Sequence, residues 1–96
     1  MNKYEFTLVL SSKIEDEERA QALQKVQDYI TRFGGTLGET DEWGLKKLAY
    51  DIQGMSEAYY YFIHFESAAD VPGQLEESVR IMEPVIRYLC VKTDEA

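Results

Sequence analysis

The fold is decided by residues 36–65, which read TLGETDEWGLKKLAYDIQGMSEAYYYFIHF. Residues 36–52 predict one long strand, and residues 58–65, which are predominantly aromatic, predict another. Gly54 lies in the short connection between them, where glycine is typical of a tight turn. Two strands joined by so short a connection predict an antiparallel hairpin.

A strand and a helix are predicted before this hairpin. Residues 3–10 mostly alternate between polar and apolar side chains, which is typical of a half-buried strand. Residues 15–18 are all acidic and suit the positive end of a helix dipole. The apolar stripe of this helix consists of Ala20, Leu23, Val26, Ile30 and Phe33. Gly34 and Gly35 are expected to end the helix.

A second helix and a final strand are predicted after the hairpin. Asp70 is expected to cap the helix, and Pro72 lies in its first turn, where proline is tolerated. The apolar stripe of the helix consists of Leu75, Val79 and Met82. Pro84 is expected to break the helix, and residues 85–91 predict the last strand. Residues 94–96 form a short polar tail that we expect to be disordered.

The order of these elements is strand, helix, strand, strand, helix, strand. Right-handed crossovers would place both helices on one face of the sheet. The sequence therefore predicts an α+β fold, a ferredoxin-like βαββαβ two-layer sandwich with a four-stranded antiparallel sheet and two helices on one face. Residues 1–96 are expected to form a single domain.

The composition argues against several functional classes. Ten Lys and Arg face eighteen Asp and Glu, and the resulting net charge of −8 excludes a uniformly basic coat for nucleic acid. Cys90 is the only cysteine, so neither a disulfide framework nor a cysteine-ligated zinc site is expected. No apolar run is long enough for a membrane span, and we expect a cytoplasmic protein. His64 is the only histidine, and no nucleophile has a recognisable base partner. We therefore expect no catalytic residues, metal, cofactor or small-molecule substrate.

Two features of the strands favour a binding function instead. Residues 58–65 and 85–92 carry apolar side chains on both faces, although the uncovered face of a two-layer sandwich is normally polar. Such a sheet predicts a second partner or another copy of the chain. Basic residues without acidic neighbours are concentrated in residues 43–50 and 84–93, where Trp and Tyr accompany them. This combination fits contacts with phosphates and bases. The alternative is a solvated strand edge, where the lysines only prevent aggregation.

Residues 43–50, Trp-Gly-Leu-Lys-Lys-Leu-Ala-Tyr, are the most specific motif of the chain. Together with Tyr4-Glu5, Gly34-Gly35 and the strands at 58–65 and 85–92, this motif resembles the bacterial small-subunit ribosomal proteins of the S-six family. The resemblance covers nearly the whole chain in order and spacing. It departs at Asp51, where the family often has proline.

The resemblance implies a structural role in the small ribosomal subunit, without catalysis. It implies binding to the central domain of the small-subunit ribosomal RNA together with a small basic ribosomal protein of the S-eighteen family, which would aid subunit assembly and translation. A basic partner would share the neutralisation of RNA phosphates. We expect RNA contacts from Lys3, Lys46, Lys47, Arg80, Arg87 and Lys92. We expect contacts with the protein partner from Trp43, Leu45, Tyr50, Tyr59 and Tyr61.

An alternative is a free-standing module that binds single-stranded RNA through the aromatic third strand. RNA-recognition modules share this topology, and residues 62–65 match the last four positions of their third-strand motif. The basic and glycine positions of that motif are absent. A third hypothesis, an enzyme or sensor for a small ligand, lacks a convergent acid, base or arginine in the sequence.

Overall fold

The computed structural model describes residues 2–93 and places the predicted elements in the expected order. The strands are β1 (Asn2–Ser11), β2 (Thr36–Ile52), β3 (Met55–Ser67) and β4 (Val85–Lys92). The helices are α1 (Asp16–Arg32) and α2 (Val71–Val79). The tail predicted to be disordered, residues 94–96, lies outside the described residues.

The four strands form one antiparallel sheet in the order β2-β3-β1-β4. Each helix connects two strands that are not neighbours in the sheet, since α1 lies between β1 and β2 and α2 lies between β3 and β4. Both helices pack on the same face, and the predicted ferredoxin-like sandwich is confirmed. Neither helix within residues 2–93 is long and apolar enough to cross a membrane.

The core lies between the sheet and the two helices. It contains Phe6, Leu8 and Leu10 from β1, Val26 and Ile30 from α1, Ile63 and Phe65 from β3, and Leu75 and Val79 from α2. Burial of each large apolar side chain contributes roughly 1.5–3 kcal/mol to stability. Because β1 is a central strand and its alternate residues are fully buried, it holds both helices against the sheet.

The predicted apolar stripe of α1 was wrong at one position. Ala20 is exposed, and Ala22 is buried in its place. The buried residues of α1 are Ala22, Val26 and Ile30, which follow one another at intervals of four. A residue two positions before Ala22 lies on the other side of the helix, because successive helical residues are rotated by about 100°.

The ends of α2 also differ from the prediction. Asp70 occupies the N-cap position, but its side chain makes no capping hydrogen bond and instead accepts one from the Gln74 amide at 3.1 Å. The helix ends at Val79, so it has already stopped before Pro84. Pro84 lies in the following loop, where its carbonyl accepts a hydrogen bond from the backbone N–H of Ser11 at 2.9 Å.

The β2–β3 hairpin extends beyond the rest of the sheet. Pairing between β1 and β3 ends at Ala58, whereas β2 and β3 are paired again at Ile52, next to the turn. The turn residues Gln53 and Gly54 have φ angles of 53° and 78°. Two consecutive positive φ angles are typical of the two-residue turns that match the twist of paired strands. The predicted hairpin and its turn at Gly54 are therefore confirmed.

Candidate nucleic-acid interface

The face of the sheet opposite the helices is called the open face. Because Phe6, Leu8 and Leu10 of β1 point into the core, the residues between them point away from the helices. The register of the strands then defines the other members of this face. The open face includes Glu5, Thr7 and Val9 from β1, Tyr60, Phe62 and His64 from β3, and Arg87, Leu89 and Val91 from β4.

The centre of the open face carries an aromatic patch formed by Trp43, Tyr60 and Phe62. The ring centroids of Trp43 and Phe62 are 4.7 Å apart, and those of Tyr60 and Phe62 are 6.5 Å apart. Trp43 and Leu89 are each 57 % exposed, and Leu89 lies in the same cross-strand row as Phe62. Neighbouring exposed apolar groups of this kind are typical of a binding surface.

An irregularity in β2 accompanies the exposure of Trp43 on the open face. Glu42 is paired with Tyr61, and Gly44 is paired with the adjacent Tyr60, so Trp43 is an extra residue between two successive pairs. Gly44 has a φ angle of 73°, which glycine adopts without steric cost. This β-bulge allows Trp43 to pack against Phe62 of the open face.

One end of the open face, next to the hairpin, is basic. The Arg87 guanidinium donates a hydrogen bond to the Tyr50 hydroxyl and lies 5.2 Å from the centre of its ring. The Lys46 ammonium lies 5.9 Å from the centre of the Trp43 ring. The hairpin thus brings two predicted RNA-binding residues from opposite edge strands to the same end of the sheet. We call Lys46 and Arg87 the basic pair.

Lys13 also reaches this end of the molecule, although no motif or periodicity in the sequence selects it. Its ammonium donates a hydrogen bond to the carbonyl oxygen of Gln53 in the hairpin turn, at 3.5 Å. Lys47 lies on the hairpin as well, opposite Glu57. No local pattern could have identified Lys13, because the contact joins residues that are 40 positions apart.

The opposite end of the open face has a mixed charge. His64 Nε2 lies 3.4 Å from a carboxylate oxygen of Asp41 and 3.6 Å from one of Glu5. Lys3 is paired with Glu66 across the strands, and its carbonyl accepts a hydrogen bond from the N–H of Thr93, which follows Lys92. Lys3 and Lys92 therefore lie at the same end of the sheet, far from the basic pair, but on opposite faces, because Lys92 is paired with the core residue Tyr4.

The remaining predicted RNA-binding residue, Arg80, lies in the helix layer. It is the C-cap of α2 and is exposed. The six predicted residues thus lie at three separate places. Lys46, Lys47 and Arg87 lie at the hairpin end of the sheet, but Lys47 is on the helix side, because its partner Glu57 is two residues from Tyr59. Their role in RNA binding stays a prediction.

The five residues predicted to contact a protein partner do not share one face. Trp43 and Tyr50 reach the open face through Phe62 and Arg87. Tyr59 and Tyr61 point toward the helices, and Leu45 is paired with Tyr59 and so lies on the helix side too. Tyr61 is only 4 % exposed and belongs to the core. The prediction that Tyr61 contacts the protein partner is therefore corrected, because a partner cannot reach Tyr61 without opening the core.

Arg19 of α1 explains why Tyr59 is not a free aromatic surface. Its guanidinium lies 4.0 Å from the centre of the Tyr59 ring and forms an ion pair with Asp16 at 2.9 Å. Burial works against the charged form of Arg19, but hydrogen bonding to Asp16 and the proximity of Tyr61 raise the pKa of Arg19 above its usual value. Burial also raises the pKa of the Tyr61 phenol, more than the nearby Arg19 lowers it.

The chemistry of the described residues offers little for catalysis. Within residues 2–93 no group of three or more His, Cys, Asp or Glu side chains is arranged to hold a metal ion. Burial, with a smaller contribution from Glu76, raises the pKa of the Cys90 thiol to about 11. The thiol is therefore protonated at neutral pH, whereas nucleophilic cysteines need a thiolate.

Comparison with known proteins identifies the family of the chain. The family model described as ribosomal protein S6 matches residues 3–92. The chain belongs to the ribosomal protein S6 family. This confirms the resemblance seen in the sequence. Members of this family are structural proteins of the small ribosomal subunit rather than enzymes. Because the small subunit lies in the bacterial cytoplasm, the chain is located there.

Individual relatives cover the chain almost completely. The small ribosomal subunit protein bS6 of Caldanaerobacter subterraneus is 42 % identical over 95 residues, which are 99 % of this chain and 100 % of the relative. The bS6 protein of Alkaliphilus oremlandii is 40 % identical with the same coverage. The crystal structure of 30S ribosomal protein S6 from Thermotoga maritima superposes with a TM-score of 0.90 at 25 % identity, covering 95 % of this chain and 86 % of that one.

Proposed function

We propose that this chain binds the central domain of the small-subunit ribosomal RNA together with a small basic ribosomal protein of the S-eighteen family. The observation that carries this proposal is the chemistry of the open face. An aromatic patch with an exposed Trp43 ring lies beside the basic pair, on the face of the sheet that the helices do not cover. A surface of this kind can contact an apolar protein surface and RNA phosphates side by side.

The charge of the chain argues for a shared mode of RNA binding. The net charge is −8, so the chain as a whole repels RNA at long range. The basic pair supplies only a local attraction. A basic partner seated on the open face would release further counterions from the RNA and so raise the affinity of the complex. The proposal therefore predicts that the chain binds RNA tightly only with its partner.

Within the basic pair, Arg87 is the better candidate for a phosphate contact. Its guanidinium lies over the Tyr50 ring and donates a hydrogen bond to the Tyr50 hydroxyl. A planar guanidinium can donate two parallel hydrogen bonds to one phosphate. Lys46 lies near Trp43 and can act as a second positive charge at the border of the aromatic patch.

The aromatic patch is the proposed contact with the protein partner. Trp, Tyr and Arg are enriched among the residues that dominate binding energy at protein interfaces. Trp43 belongs to this patch, and Tyr50 lies at the hairpin end of the same face, next to Arg87. Leu89 adds an exposed apolar side chain on the edge strand β4.

The test is to measure binding of the purified chain to a central-domain RNA fragment, with and without the basic partner, over a range of salt concentrations. We expect tight binding only with the partner and a steep loss of affinity as salt rises. Substitution of both Lys46→Gln and Arg87→Gln should lower the salt slope by about 2, since each phosphate contact contributes roughly 1.

The matched control removes two positive charges from elsewhere. Lys25→Gln with Arg32→Gln changes exposed residues of α1, so it gives the same net charge as the test variant. An unchanged salt slope in the control supports a local contact. An equal decrease of the salt slope in both double variants would show that RNA binding depends only on net charge, and the proposed site would be wrong.

The aromatic patch also supports a second candidate function, a free-standing module for single-stranded RNA. Exposed aromatic rings beside a basic side chain form a platform on which bases can stack. In this candidate function the stacking rings would be those of Trp43, Tyr60 and Phe62, because Tyr59 and Tyr61 point toward the helices. Tight binding of single-stranded RNA by the chain alone would favour this candidate over the first.

A further inference from the structure

A groove lies on the helix side, away from the open face, between α1 and the loop that joins α2 to β4. It consists of two adjoining cavities of about 310 Å³ and 220 Å³. The two cavities share Glu18, Glu83 and Pro84 in their walls. We call this feature the helix-side groove.

Only the larger cavity of the groove has mainly apolar walls. It is lined by Ala22, Tyr29, Ile81 and Met82, whereas the smaller cavity is mainly polar, with Ile14 as its one large aliphatic side chain. Ile81 is 76 % exposed, more than any other large apolar side chain within residues 2–93. An apolar side chain of a ligand could therefore be seated in the larger cavity.

The middle of the groove is negative. Glu18 and Glu83 border both cavities, and within residues 2–93 neither carboxylate forms an ion pair. Lys25 lines only the larger cavity, and the remaining polar side chains of the walls are uncharged. A cationic side chain next to an apolar one matches this arrangement in both charge and position.

We propose that the helix-side groove docks a short segment of another protein in which Lys or Arg stands next to an apolar residue. Two unpaired carboxylates would repel the phosphates of RNA. A second copy of the chain would bring a further charge of −8 to an acidic surface. Because the groove and the open face lie on opposite sides of the sheet, this inference does not depend on the proposed function, and both sites can be occupied together.

The test is a titration of the isotope-labelled full-length chain with the peptide acetyl-Ala-Leu-Arg-Leu-Ala-amide, followed by NMR chemical shifts. We expect shifts confined to amides of the groove, including those of Ala22 and Met82. The peptide with Glu in place of Arg should cause no such shifts. The peptide with Ser in place of both Leu should also cause no shifts, because the apolar walls would then contribute nothing to binding.

Variants of the chain separate the local carboxylates from overall charge. Glu18→Gln with Glu83→Gln should weaken peptide binding about fivefold, as expected for two partly exposed ion pairs. The matched control, Glu17→Gln with Glu77→Gln, removes the same charge from exposed positions outside the groove and should leave binding unchanged. Ile81→Ser removes an exposed apolar wall, so it should weaken binding without unfolding the chain.

Four results would overturn this proposal. The first is an absence of shifts in the groove at the highest peptide concentration, and the second is an equal weakening in both double variants. The third is that the peptide perturbs the open face instead. The fourth is concentration-dependent dimerisation in sedimentation that Ile81→Ser abolishes, since the groove would then be covered by a second copy.

Discussion

At the scale of single residues, Arg19 joins α1 to β3 through a contact that no local pattern encodes. Its guanidinium covers the Tyr59 ring at 4.0 Å and is ion-paired with Asp16. One of its nitrogens, Nη1, is buried and has no hydrogen-bond partner among the described residues. The cation–π contact and the apolar stem of Arg19 thus stabilise the fold, while the unpartnered N–H reduces the gain.

Arg19→Ala is expected to lower the free energy of unfolding by about 1 kcal/mol, because the cation–π contact and the packing of the stem are both lost. Arg32→Ala is the control, since Arg32 is exposed and lies 5.8 Å from the Tyr29 ring. We expect this control to change stability by less than about 0.5 kcal/mol. Urea denaturation of both variants measures the difference, and equal effects would contradict the role assigned to Tyr59.

At the scale of secondary-structure elements, the β2–β3 hairpin determines which residues meet at the basic end. Its turn requires two positive φ angles, at Gln53 and Gly54. A glycine adopts such an angle freely, whereas a residue with a Cβ atom is strained. The hairpin in turn carries Tyr50 to Arg87 on the far edge strand. The geometry of the basic end therefore depends on the turn.

Gly54→Ala is expected to destabilise the chain by about 1 kcal/mol through backbone strain alone, since no atom other than the Lys13 ammonium lies within 4 Å of the added Cβ. Gly73→Ala is the opposite case. Gly73 lies in α2, a Cβ there would meet open space, and alanine favours a helix by about 1 kcal/mol. Thermal or urea unfolding should therefore shift in opposite directions for the two variants. If the unfolding midpoints of both variants shifted in the same direction, the result would contradict the positive φ angle of Gly54.

The elements themselves were predictable from the sequence, but the faces of β2 and β3 were not. Strand and helix patterns depend on local periodicity, and the order of elements limits the topology to few choices. The third strand has aromatic residues on both faces, so periodicity could not decide that Tyr61 is buried and Phe62 is open. The bulge at Trp43 places Trp43 and Leu45 on opposite faces of the sheet. The sequence pattern alone does not show where a bulge occurs.

At the scale of the whole molecule, the two sides of the sheet have different electrostatic character. The helix side carries the acidic first turn of α1 and the carboxylates of the helix-side groove. The open face carries the aromatic patch and the basic pair. An acidic chain of net charge −8 can therefore present a surface suited to RNA on one side only. This division also indicates which side of the sheet the proposed partner would contact.

Trp43 is the only tryptophan of the chain and reports on the open face directly. If the basic protein partner covers the aromatic patch, burial of the exposed indole should shift its fluorescence emission to shorter wavelength. Trp43→Ser should weaken partner binding by about tenfold or more, as expected for a central interface residue. Leu45→Ser is the matched control, since Leu45 is also exposed but lies on the other side of β2, and it should change affinity less than about twofold. An unshifted emission spectrum in the complex, or a greater loss with Leu45→Ser, would place the partner on the helix side instead.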